Sequence, residues 1–107
     1  MKQDLDIKAQ VRQILLLVQQ ISPGRAVELR IPPYGAVQCV AGSNHRRGMP
    51  ANQVEMDGET LIKLIKSPTL WEDLCHSGLI RASGSNSDLS DLFAKVSKLN
   101  QTDSRGL

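Results

Sequence analysis

Apolar and polar positions change their period several times along this chain, and each change marks an element. Ile7, Val11, Ile14, Leu15, Val18 and Ile21 recur at helical spacing, so Asp4 to Ile21 is predicted to be an amphipathic helix, stopped by Ser22-Pro23-Gly24. From Arg25 to Ile31 the period shortens to two, with Val27, Leu29 and Ile31 on one face and Glu28 and Arg30 on the other, which is the pattern of a half-buried strand. Pro32-Pro33-Tyr34-Gly35 breaks it, and Ala36 to Ala41 resumes as a second strand with Val37 and Cys39 on a shared face. Residues 30 to 40 therefore read as a hairpin.

A polar connection from Gly42 to Asn52 leads to a short third strand over Gln53 to Met56. Asp57 is placed to cap a helix with Leu61, Leu64 and Ile65 on one side, ended by Ser67-Pro68. Thr69-Leu70-Trp71-Glu72 has the spacing of a capping box and predicts a second helix start, with Gly78 closing that helix. Leu79 to Ser83 is a fourth strand. Ser87 then opens a last helix carrying Leu89, Leu92, Phe93 and Val96 at i, i+3, i+4 and i+7.

The order α-β-β-β-α-α-β-α is that of an α+β domain, one sheet with apolar helix faces against it. A chain of 107 residues supports one hydrophobic core, so a single domain is expected over residues 1–99, with a tail from 100 to 107 that frays.

Charge and composition narrow the function classes. Thirteen Lys and Arg against eleven Asp and Glu give a net charge of +2, and the basic residues are spread from Lys2 to Arg105. With Tyr34, Trp71 and Phe93 as the only aromatics, neither a basic stripe nor a stacking platform marks nucleic-acid binding. The apolar run Ile14 to Val18 is too short for a signal-peptide core or a transmembrane segment, so the expectation is a cytoplasmic chain with Cys39 and Cys75 reduced.

Catalytic and metal signatures are sparse. Neither C-x-x-C nor H-x-x-x-H occurs, and phosphate-loop, dinucleotide and nucleophile-elbow patterns are missing, so no metal, cofactor or catalytic residue is assigned. Cys75 and His76 are adjacent on a helix and point about 100° apart, and both cysteines fall on apolar stripes as small core residues do. The loop's His45, Arg46 and Arg47 offer paired donors for an anionic head group, with solvated loop as the plain reading.

The strings "RAVELRIPPYGAVQCVAG", "H-x-R-G-x-P-x-N-x-V-E-x-D" from His45 to Asp57 and "GLIRASGSNSDLSDL" resemble the small bacterial orthologues of sterol carrier protein, over residues 24 to 99. That resemblance implies a sterol-carrier-like α+β sandwich: a mostly antiparallel sheet of four or five strands, one face covered by helices, with a lipid held between them.

Two functional readings follow. In the first, the domain is a non-catalytic carrier whose tunnel for an acyl, isoprenoid or sterol-like ligand is lined by Val27, Leu29, Val37, Cys39, Val54, Met56, Leu61, Leu64, Ile65, Leu74, Leu92 and Phe93, with Tyr34, His45 and Arg47 meeting a polar head group. In the second, the same residues fill the core of an accessory domain that partners an enzyme or forms a homodimer. An enzymatic alternative gathers His45, Arg47, Tyr34 and Cys39 at one end of the sheet.

Overall fold

A computed structural model of the chain describes residues 2–42 and 52–105. The polar connection, with His45 and Arg47, lies outside the described residues. Helix α1 spans Lys2–Ile21, followed by strands β1 (Val27–Ile31), β2 (Gly35–Cys39) and β3 (Asn52–Glu55), helices α2 (Gly58–Lys66) and α3 (Trp71–His76), strand β4 (Arg81–Ser83) and helix α4 (Ser90–Arg105).

The strands form one mixed sheet in the order β2-β1-β3-β4. β1 is central: it runs antiparallel to β2, with Val27 opposite Cys39 and Ile31 opposite Gly35, and parallel to β3, with Leu29 opposite Val54. β3 and β4 are antiparallel. Because β2 runs the chain back along β1, its end at Cys39 and the start of β3 at Asn52 both lie level with Val27, on either side of β1.

Alternation along β1 sorts the two faces. Val27, Leu29 and Ile31 are buried on the helix side, together with Cys39 and Val54. The opposite face carries Glu28, Arg30, Gln38, Glu55 and Arg81, with Arg81 paired to Glu55 at 3.1 Å. One face is thus polar and solvated, and the other meets α1, α2 and α4.

The core is continuous. Val11, Ile14, Leu15 and Val18 of α1, Leu61, Leu64 and Ile65 of α2, and Leu89, Leu92, Phe93 and Val96 around α4 are buried against the sheet. Trp71 stacks on Phe93 with ring centroids 6.0 Å apart and planes inclined by 28°. The buried hydroxyl of Ser97 donates to the carbonyl of Ile65, so this polar group tying α4 to α2 enters the core with a partner.

Two helix starts depart from the sequence reading. At α2 the expected cap forms, with Asp57 Oδ1 accepting from the Thr60 N–H at 2.7 Å. At α3 the capping box does not form: Pro68–Leu70 makes a 3-10 turn that runs straight into the helix, and Leu70 occupies the cap position without a side-chain bond. The Leu70 N–H donates to Ser67 O and the Trp71 N–H to Pro68 O, so Thr69 already lies inside a helical turn and is not the extended residue that a cap requires. The last helix opens later than expected as well. Ser87 Oγ donates to Gly84 O at 2.8 Å to close the preceding turn, and Asp88 Oδ1 accepts from the Ser90 N–H at 3.0 Å.

Gly78 ends α3 with φ +84°, a conformation that a side chain resists. The Leu74 carbonyl takes the N–H groups of both Leu79 and Ile80. Strand β4 therefore begins at Arg81, two residues after the predicted start.

Candidate functional site

The apolar residues assigned to a ligand tunnel divide between core and surface. Val27, Leu29, Cys39, Val54, Met56, Leu61, Leu64, Ile65, Leu74 and Phe93 are buried and packed together, and their side chains occupy the space between sheet and helices. Leu92 is buried but also borders a cleft of about 460 Å³ walled by Asp88, Asp91, Asn86 and Lys95. Val37 is half-buried and lines a different cleft, together with Tyr34.

That second cleft lies between α1 and β2 and measures about 350 Å³, at the small end of ligand sites. Leu15, Leu16, Tyr34 and Val37 wall it with the backbone of Gly35 and Ala36, and exposed Arg12 is the single charge among its lining residues. Leu15 is buried, whereas Leu16 is 60 % exposed. Here the apolar core comes to the surface. A larger hollow of about 610 Å³ between α1 and α2 is walled by Ile7, Ile62 and Leu79 together with Asp6, Asp57, Glu59 and Lys63, so it carries four charged side chains where the α1–β2 cleft carries one.

The hairpin sets the geometry of this cleft. A tight turn, with the Tyr34 N–H donating to Ile31 O at 2.8 Å and a cis bond between Pro32 and Pro33, places Tyr34 immediately before the start of β2. Gly35 keeps the cleft wide, because a methyl group there would stand 3.3 Å from Leu15 Cδ1. Gly58, at the start of α2, provides the seat for the Tyr34 ring: a methyl group at Gly58 would meet Ile7 Cγ2 at 2.7 Å and Tyr34 Cε2 at 3.0 Å.

The two thiols are chemically quiet. Burial pushes Cys39 up to about 11, so at neutral pH it is a protonated core group. Cys75, half-buried, is raised by desolvation and by the nearby carboxylates of Asp88 and Glu72. Both environments disfavour a thiolate nucleophile. No group of three or more His, Cys, Asp or Glu side chains converges among the described residues, and no helix there is long and apolar enough to cross a membrane.

The sequence reading reached Tyr34 and Val37 but missed Arg12, Leu15 and Leu16 as their neighbours. A signal for Leu16 was present. The run Ile14-Leu15-Leu16-Leu17-Val18 is broader than one helix stripe can bury, so part of it has to face outward.

A comparison with curated proteins finds no match. The family model for bacterial SCP orthologues matches residues 3–94, from α1 into α4, and this chain belongs to that sterol-carrier-like family, at a coarse level one of lipid-binding carrier domains.

Proposed function

We propose that the chain is a non-catalytic carrier module that takes up one acyl, isoprenoid or sterol-like ligand through the cleft between α1 and β2. The observation that supports this reading is the exposure of core residues at that cleft: buried Leu15 and half-buried Val37 and Tyr34 form an apolar wall open to solvent. An entering chain gains about 0.8 kcal/mol per buried methylene, so about eight methylenes supply about 6 kcal/mol before the costs of association.

Cavity energetics explain why the interior is packed in the free chain. An empty apolar cavity of about 300 Å³ costs on the order of 7 kcal/mol, which rivals the stability of a whole domain. A carrier of this size is best served by side chains that fill the space and yield when the ligand displaces them. The ligand thus enters at the surface and deepens the cleft by shifting Leu15 and Val37. The packed core also favours a second reading, an accessory domain that binds a protein partner and no lipid.

Native mass spectrometry before and after organic extraction separates the two, paired with uptake of a fluorescent fatty acid. The carrier reading expects a stoichiometric apolar passenger or saturable uptake, weakened at least tenfold in Gly35→Val, which narrows the cleft against Leu15. A bare chain that takes up no probe sinks it.

A further inference from the structure

The two edges of the sheet are built differently. β4 is three residues long and carries Arg81. β2 has five residues, Gly35-Ala36-Val37-Gln38-Cys39, with no charge and no proline, and its register against β1 runs from end to end without a bulge. Open edges are ordinarily shortened, charged, bulged or interrupted by proline, because their unpaired N–H and C=O groups template another strand. β4 has such protection and β2 lacks it.

The hydrogen bonding identifies which groups of β2 point outward. The Met56 N–H donates to Arg30 O, so Arg30 turns its backbone toward β3 and its neighbours Leu29 and Ile31 turn theirs toward β2. Val37 and Gly35, opposite them, face inward to β1. Ala36 and Gln38 therefore present N–H and C=O off the free edge. Both are exposed, and among the described residues no backbone group bonds to either outward pair. Leu16, 60 % exposed, shares the adjoining cleft with Ala36 and Val37.

From this edge we infer that β2 pairs antiparallel with β2 of a second copy of the chain, about a two-fold axis at Val37. That register joins Ala36 of each copy to Gln38 of the other by reciprocal N–H···O=C bonds, and it sets the two Val37 residues opposite each other as a close, non-hydrogen-bonded pair. Neighbouring registers leave an outward group unpaired. Centring on Ala36 forgoes the bond from the Tyr34 N–H, already given to Ile31, and centring on Gln38 forgoes the bond from the Val40 N–H, already given to Ser22, whereas the register at Val37 uses only free groups. A second copy fits better than a charged strand. β2 itself carries no charge, the Arg25 Nε–H beside it is already given to Gln38 Oε1 at 3.2 Å, and the two-fold sets Val37 against Val37 on the helix side and keeps polar Gln38 on the polar face. The α1–β2 clefts of the two copies then adjoin across the join. The inference rests on the strand edge and stands apart from the lipid reading.

Sedimentation equilibrium on the full chain reads the assembly directly. The expected result is twice the chain mass, halved by Ala36→Lys, which charges the edge, and by Gln38→Pro, which removes an outward N–H without touching a bond to β1. Circular dichroism on both variants verifies that they fold. Val37→Cys in a Cys75→Ser background is expected to cross-link under mild oxidation, since opposed residues in such a pair stand about 4.5 Å apart at Cα, within disulfide reach of about 4.4–6.8 Å. A wild-type chain that stays monomeric at every concentration overturns the inference, as does a dimer that survives both edge variants. Fluorescent fatty-acid uptake is measured on the same samples. A dimer without uptake supports this inference and counts against the carrier alone, whereas a monomer with uptake does the reverse.

Discussion

The Tyr34 ring rests on Gly58, so close that a single methyl group on the glycine would stand 3.0 Å from Tyr34 Cε2. This contact ties the hairpin turn to the start of α2 and leaves one side of the ring facing the α1–β2 cleft, where Tyr34 lies beside Leu15 and Val37. The first prediction follows from it. Gly58→Ala overpacks the seat against Ile7 and Tyr34 and is expected to cost about 1–3 kcal/mol, less up to about 1 kcal/mol gained in helix propensity. Urea denaturation measures the loss, and the tyrosine ring resonances are expected to shift. Unchanged stability together with unchanged resonances would show that the ring does not rest there.

Cys39 tests whether the first thiol is core or reagent. Cys39→Ser places a hydroxyl at a fully buried position, with an expected loss of about 1–3 kcal/mol if it finds no acceptor. In the wild type, a thiol reagent at pH 8 is expected to modify Cys75 first and Cys39 at the rate of unfolding. Rapid native labelling of Cys39 would contradict its burial.

Asp57 links stability to pH. Hydrogen bonds from Thr60, first from its side chain and then from its backbone N–H, hold the carboxyl below its usual range, with Arg81 and Lys63 adding to the effect. A folded-state value below the unfolded one of about 3.9 means that the stabilisation is complete above that pH and is lost as pH falls through the folded value. Asp57→Ala is expected to cost about 1 kcal/mol at neutral pH through the lost cap, and Asp57→Asn to flatten the acid limb of the stability curve. Denaturation midpoints between pH 2 and pH 7 check both.

The Trp71–Phe93 stack should dominate the core. Phe93→Ala is expected to cost about 3–5 kcal/mol, a large part of the stability of a domain this size, and to change the fluorescence of the single tryptophan. A loss under 1 kcal/mol would mean that the site collapses around the missing ring.

By contrast, the Arg81–Glu55 pair on the open face is expected to contribute little. With side chains 65 % and 34 % exposed, Glu55→Gln should change stability by less than about 1 kcal/mol, and less again in high salt. A larger effect in a salt titration would make this pair a fastener of β3 to β4.

Much of the architecture was legible because its causes are local. The period-two run Val27-Leu29-Ile31 and the helical stripes of α1, α2 and α4 state which faces must be buried, whatever they pack against. The Asp57 cap needed only a carboxylate three residues before a free N–H. Where local rules failed, a neighbouring segment had already supplied the bond. The 3-10 turn from Pro68 drew Thr69 into a helical turn before α3, and Leu74 held back the start of β4. The cleft was half legible. Tyr34 and Val37 belong to one hairpin, but Arg12, Leu15 and Leu16 reach them from a helix about twenty residues earlier in the chain.

By itself, then, the sequence determined the order of the elements, their buried faces, the inward position of Cys39 and the likeness to the sterol-carrier family. Each of these depends on side-chain chemistry within a few residues or on a string of letters. Only the tertiary structure decided that β1 sits at the centre between an antiparallel and a parallel neighbour, that the interior is filled while the cleft opens at α1 and β2, and that β2 ends the sheet as an uncharged edge. Those outcomes depend on which strands meet and which backbone groups remain unpaired. Hydrophobic periodicity carries no record of either, because it repeats identically whichever partner a strand finds.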